Sequence, residues 1–292
     1  MLRNTLLLTA GLILLPITAC AQEAATPIKS ASAAQVSYGS GTAAPQNEMK
    51  KDVISTSIHA AWTDILKTYV SAPDNTGLTR FDYAGLKANA ADYAKFTGYL
   101  KALGSVNPSA LSRDEAIAFY ANLYNALTID LIVQNYPLDS IRKAKLYNGK
   151  KVSALTGPWK KTETSVNGKM LSLDEIEHGI LRVDYPSPYI HYMVNCASVG
   201  CPNLLQSAWE ADTHETLRKE AAAAYINSPR GVVVTSKGLK ISSIYKWFKE
   251  DFGGSKERVL QHIREYADAD LAAAIDAGAQ IVDYDYDWTL NE

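Results

Sequence analysis

The chain has 292 residues, three cysteines and a nearly balanced charge, 29 Lys and Arg against 31 Asp and Glu, for a formal net charge of −2. With that balance, no basic run and no RNA- or DNA-binding motif, a nucleic-acid surface is excluded. No internal repeat, P-loop or dinucleotide fingerprint is present, so repeat architectures and the common nucleotide-binding motifs are excluded too.

The first twenty residues, MLRNTLLLTAGLILLPITAC, carry one charge, at Arg3, and then a long apolar run. This is the layout of a secretory signal, too short and wrongly flanked for a spanning helix. The run ends in Ile17-Thr18-Ala19-Cys20, which resembles the bacterial lipobox. That resemblance implies cleavage before Cys20, lipid attachment at Cys20 and, because Ala21 rather than Asp follows, the periplasmic face of the outer membrane. Ordinary cleavage after Ala21 is the alternative, since Ala19-Cys20-Ala21 also fits a small-x-small site. Several acyl chains, at ~0.8 kcal/mol per buried methylene, would hold the protein firmly on a bilayer. Residues 21–50 are rich in Ala, Ser, Gly, Thr and Pro without an apolar period. They are expected to be a flexible tether, because so little apolar surface cannot offset the entropy of ordering. Residues 51–292 have the length of one large domain, expected to be monomeric.

Residues 54–70 place Ile58, Trp62, Ile65, Leu66 and Tyr69 at helical spacing, and a second helix is expected over 82–103. Ser112 and Glu115 form a capping box that opens a long helix. From Ile117 to Val133 that helix has apolar residues on every side, so it should be buried. Asn122, Asn125, Thr128 and Asp130 must then find partners or cost ~1–3 kcal/mol each. The two asparagines either fix neighbouring loops or line a pocket, and the first reading is the simpler. Pro137 ends the helix, and a looser segment runs to about Thr164.

Asn167-Gly168 signals a hairpin turn, and Ser172 with Glu175 a second capping box, before the helical SLDEIEHGILR. Glu177 falls near its buried side and His178 at the edge of its polar face. YIHYMVN, residues 189–195, reads as a buried strand. An Ala-rich helix is expected over 212–227, a hairpin turning at Lys237-Gly238, helices in SIYKWFKEDF and over 255–276, and a closing strand in AQIVDYDYDWTLN. Helices with short, mainly antiparallel strands make the fold class α+β.

Four blocks, FYANLYNALTI, LSLDEIEHGILR, IHYMVNCASVGCP and YDYDWTLN, resemble the family called domain of unknown function 547, over about Trp62 to Asn291. The resemblance implies a bacterial extracytoplasmic or plant intracellular domain without an assigned activity. It also implies a distant likeness to papain-like and transglutaminase-like cysteine hydrolases, an analogy of fold alone.

Three readings of residues 191–201 compete. In the first, Cys201 is a nucleophile at a helix N-cap, with Pro202 leading a short helix PNLLQSAW whose dipole lowers the thiol pKa. His191, on the strand, or His178 would be the base, oriented by Asn195, Asn122 or Glu177, and Cys196 would be buried and inert. In the second, Cys196 and Cys201 form a disulfide, an even pair once Cys20 is lipidated in an oxidising compartment. In the third, His191, Cys196, Cys201 and His178 bind a metal, at spacings unlike those of the common zinc modules. His59, His214 and His262 read as solvated, and Asp283, Asp285 and Asp287 as the solvent face of a strand. The leading expectation is a cysteine-dependent hydrolase or acyl transferase acting on a peptide or cell-wall amide, with no cofactor. The alternative is a non-catalytic periplasmic binding or scaffold protein with a Cys196–Cys201 bridge.

Overall fold

The structure is a computed structural model that describes residues 48–152 and 157–292, with side chains from residue 58 onward. The leader with Cys20, and the tether up to residue 47, lie outside the described residues.

Helix α1, Glu48–Tyr69, starts within the segment assigned to the tether; α2, Tyr83–Ala88, and α3, Ala90–Gly104, divide the single helix expected over 82–103. The division has a local cause: Asn89 is extended and its side chain caps α3 by accepting from the Asp92 N–H. Helix α4, Arg113–Asn135, opens on the Ser112–Glu115 capping box and is buried without interruption from Glu115 to Val133. Its length and composition would suit a membrane span, but the fold buries its whole apolar stretch. It is the centre of the main core, where Trp62, Phe96, Leu123, Tyr124 and Leu127 pack together.

The hairpin β1, Leu146–Tyr147, with β2, Lys150–Lys151, precedes a second hairpin, β3, Glu163–Val166, with β4, Lys169–Ser172. The second turns at Asn167 and Gly168, both with positive φ, as an Asn-Gly turn requires. Ser172 then caps a π-helical segment, Glu175–Leu181, continued by α5, Arg182–Asp184.

Residues 190–193 form one helical turn, α6, and not the expected strand. Among the described residues no strand pairs with this segment. All four of its residues are buried, with Ile190 in the main core and Tyr192 in a second one. A strand would present alternate residues to opposite faces, whereas a helical turn points successive side chains in different directions. That suits a segment buried between two cores.

The second core comprises α7, His214–Ile226, the sheet of β5, Val232–Thr235, β6, Gly238–Ser242, and β7, Ile281–Asp285, and the helices α8, Ile244–Trp247, α9, Lys256–Tyr266, and α10, Ala269–Asp276. β5 and β6 are antiparallel, while β6 and β7 are parallel with a bulge between Leu239 and Lys240. The architecture is helix-rich α+β with short, mostly antiparallel strands.

Candidate functional site

The expected helix after Cys201 is absent: residues 202–210 are irregular. The carbonyls a helix would use are claimed by distant groups. Pro202 O accepts from Asn195 Nδ2 at 2.7 Å, Leu204 O from the Thr79 hydroxyl at 3.0 Å, and Cys201 O from Arg230 at 2.6 Å. Cys201 is therefore not at a helix N-terminus, and any stabilisation of its thiolate has another source.

That source is the loop itself. Both cysteines are free, and their sulfurs are 2.8 Å apart. Cys201 Sγ accepts the Cys196 backbone N–H at 3.0 Å and lies 3.0 Å from the Tyr286 hydroxyl and 3.4 Å from the Ser198 hydroxyl. The same two hydroxyls reach Cys196 Sγ at 3.2 Å each and are 2.8 Å from one another. Burial pushes the Cys201 thiol up, but the hydrogen bonds from the Cys196 thiol, Ser198, Tyr286 and the Cys196 N–H outweigh it and bring it down to about 6. Cys196, donating to that sulfur and itself shielded from water, is held well above the ordinary cysteine range. Over a wide span of pH the pair thus shares one proton, with the charge on Cys201. Cys196, expected to be the inert buried thiol, is the half-buried one, and Cys201 is the buried one.

The C-terminal segment closes the loop. Val199 N donates to Thr289 O at 2.7 Å and Gly200 N to Asp287 O at 2.8 Å, and Ser198 bridges to Leu290. Gly200 is required there, because a Cβ would lie 2.9 Å from Asp287 N, Asp287 O and Tyr286 Cδ2. Asn195 clamps the other end, its Oδ1 accepting from Ala197 N and Asn291 Nδ2 and its backbone N–H donating to Asn125 Oδ1. Asn125 Nδ2 also donates to Met193 O, and Asn122 holds the backbone of Trp209 through both its N–H and C=O. Both helix asparagines therefore fix neighbouring loops, as the simpler reading had it.

The histidines stand apart from the sulfurs. His191 Nε2 donates to Asp251 Oδ2 at 2.7 Å, and its ring stacks on Phe248 with centroids 4.2 Å apart. Arg182 forks onto both oxygens of Asp251 at 2.6 and 3.1 Å and donates to His178 Nδ1 at 3.2 Å. Burial pushes the Asp251 carboxyl up, but hydrogen bonds from His191 and Arg182 override it and hold it at about 2. Glu177 is buried against the Tyr124 hydroxyl and orients no imidazole. Among the described residues no histidine is hydrogen-bonded to either sulfur, and no group of three or more His, Cys, Asp or Glu is arranged to hold a metal ion.

The other three histidines are not solvated. His59 is buried against the Tyr99 hydroxyl, His214 is buried beside Asp114, and His262 is half-buried on Tyr192. A cavity of about 730 Å³ is lined by Asn135, Arg142, Lys143, Lys145 and Glu292 among others, and by none of the sulfur or histidine groups.

Residues 108–226 match the family described as "Protein of unknown function, DUF547", so this stretch carries a domain of that family. The match takes in three of the four blocks quoted above, together with Asn122, Glu177, His178, His191, Asn195, Cys196 and Cys201, and leaves out YDYDWTLN. No curated protein matches the chain, and no solved structure matches it either. Among the partners of the site beyond the matched stretch are three whose side chains meet the two clusters or the cysteine loop: Arg230, Asp251 and Tyr286. Sequence reasoning missed all three. Only Tyr286 had a signal, the fourth block, and its alternation of Asp and Tyr masked it.

Proposed function

We propose that the protein is a thiol–disulfide exchange protein of the bacterial cell envelope, monomeric and held on the periplasmic face of a membrane by lipid at Cys20. The observation that carries this reading is the pair of unbonded sulfurs 2.8 Å apart, one half-buried and the other supported as a thiolate. A disulfide needs ~2.05 Å between sulfurs, so bridge closure requires a shift of less than ~1 Å. The leader, the lipobox-like Ile17–Cys20 and the Ala- and Ser-rich tether support an oxidising compartment outside the cytoplasm, where such a pair has partners.

The substrate class is a disulfide-bonded protein or peptide. Cys196, the half-buried cysteine of the pair, attacks one sulfur of the substrate disulfide and passes its proton to Cys201. A mixed disulfide forms, and the other substrate sulfur leaves as a thiolate. Cys201 gives its proton to that thiolate and attacks Cys196 Sγ. The 196–201 bridge closes, and the second substrate sulfur departs as a thiolate that takes its proton from water. Two electrons have moved to the substrate, and the reverse sequence oxidises a dithiol.

A hydrolase or transferase on a peptide or cell-wall amide would use a base at the nucleophile. Among the described residues the sulfurs have only hydroxyls, each other and one backbone N–H within hydrogen-bond reach, and this favours exchange over acyl chemistry.

The test is redox equilibration. The folded protein is held in glutathione buffers from reducing to oxidising, and free thiols are then alkylated under denaturing conditions and counted by mass spectrometry. A reversible loss of two thiols, mapped to Cys196 and Cys201, is expected. Two free thiols in every buffer, or a bridge that strong reductant cannot open in the folded protein, would overturn the proposal.

A further inference from the structure

Tyr286 lies 85 residues after Cys201 and outside the matched stretch, yet its hydroxyl is 3.0 Å from Cys201 Sγ and 3.2 Å from Cys196 Sγ. We propose that Tyr286 is a catalytic residue of the dithiol, the fixed hydrogen-bond donor that supports whichever of the two sulfurs carries the negative charge during exchange. This rests on the exchange reading above.

Exchange needs charge on each sulfur in turn: on Cys201 at rest, on Cys196 as it attacks the substrate, and on Cys201 again as it closes the bridge. A donor bound to one sulfur alone would oppose the first transfer. The Tyr286 oxygen is nearly equidistant from the two, so its proton can turn from one to the other without movement of the ring. The Ser198 hydroxyl, 2.8 Å away, can donate to the phenol oxygen or to the sulfur that Tyr286 leaves. The guanidinium of Arg230 is spent on Cys201 O and Asn203, and so does not compete for this role.

The ring is held for this task. It packs on Trp247 and Trp288, with centroids at 4.9 and 4.7 Å, and its Cδ2 lies against the bare Cα of Gly200. The hydrogen bond from Gly200 N to Asp287 O registers the cysteine loop against the residue that follows Tyr286. Burial and the neighbouring sulfurs also hold the phenol well above its ordinary pKa, so it remains a donor wherever the thiolate exists. Tyr284, two residues earlier in the chain, packs against the second core with Lys246 over its ring and is the natural control.

Tyr286→Phe keeps the ring and removes the donor. Thiolate absorbance followed against pH should show the first thiol midpoint rising by about one unit or more, and exchange at neutral pH slowing about tenfold. Tyr284→Phe should change neither. A Tyr286→Phe midpoint within ~0.3 unit of wild type, with the bridge still forming, would overturn the role of Tyr286 and leave the exchange reading intact. A wild-type protein that never forms the bridge overturns both. Should the phenylalanine variant not fold, 3-fluorotyrosine at position 286 supplies a more acidic donor: a lower midpoint supports the proposal, and an unmoved one overturns it.

Discussion

Cys196 is the fifth residue after His191, yet the two belong to different clusters with different chemistry. The sulfurs are surrounded by neutral donors: two hydroxyls, one backbone N–H and each other. His191 sits among charges, against a carboxylate shared with Arg182, which in turn holds His178. The separation comes from one turn of helix. Along a strand, His191, Met193 and Asn195 would share a face, whereas in α6 successive side chains turn about 100° and His191 is carried toward Phe248 and Asp251. Local conformation thus decides whether a nearby imidazole and thiol become a dyad or two separate groups. Here the imidazole is absorbed into an ion network, and the thiol is left to its own pair.

The sharpest way to break this comparison is at Asp251. Asp251→Ala leaves Arg182 and His191 facing one another without a carboxylate and should cost about 3 kcal/mol. Thermal unfolding should fall by roughly 6 °C or more. The first thiol midpoint should stay where it is, and a midpoint that moved with the stability would mean that the clusters are coupled. The carboxyl gives the pH signature. Its folded value, about 2, lies below the ordinary 3.8, so its contribution is fully present above about pH 4 and is lost as pH falls through 2. Wild type should lose stability over that window, and Asp251→Ala should lose correspondingly less. Gly200→Ala attacks the other cluster. The new methyl meets Asp287 backbone and Tyr286 at 2.9 Å, for an expected cost of about 2 kcal/mol in denaturant unfolding. Here the thiol midpoint should move as well, because the same shift displaces the Tyr286 hydroxyl.

What was legible in the sequence divides along similar lines. The burial of α4 could be read directly, because Ser112 and Glu115 mark its start and its apolar residues leave no face for water. The hairpin at Asn167-Gly168 could be read for the same reason: two adjacent residues suffice to specify it. The segment 189–195 misled because a short apolar run fits a strand or a buried helical turn equally well, and only its place between two cores decides. Cys201-Pro202 misled because its local signals favour a helix, while Asn195, Thr79 and Arg230 take the carbonyls that a helix would need. Those partners lie up to 125 residues away in the chain. His59 and His214 looked solvated on their own helices and are buried by other elements. Tyr286 was hidden by its flanking aspartates, which are exposed as expected while the tyrosine between them turns inward.

Two smaller effects sharpen the comparison. With Cys201 at about 6, the thiolate absorbance should be half-developed near pH 6 and fall about tenfold from pH 7 to pH 5. A first midpoint near the ordinary cysteine value of 9.0 would show that the hydroxyls do not support the sulfur. His178→Ala should be the mildest change. Arg182 loses the His178 Nδ1 acceptor at 3.2 Å but keeps both oxygens of Asp251 and the face of Phe248, 5.0 Å from the ring centroid. The bond from a guanidinium that keeps its other partners at a half-buried site is worth about 1 kcal/mol, so the melting temperature should drop by only a few degrees. The informative readout is exchange with a disulfide substrate. A base that serves the sulfurs would leave a slower reaction and a distorted pH profile when removed, whereas a group that only braces Arg182 would leave both unchanged. Unchanged exchange in His178→Ala, alongside slowed exchange in Tyr286→Phe, would assign the proton chemistry to the hydroxyl side of the molecule; a tenfold loss in His178→Ala would return it to the imidazoles.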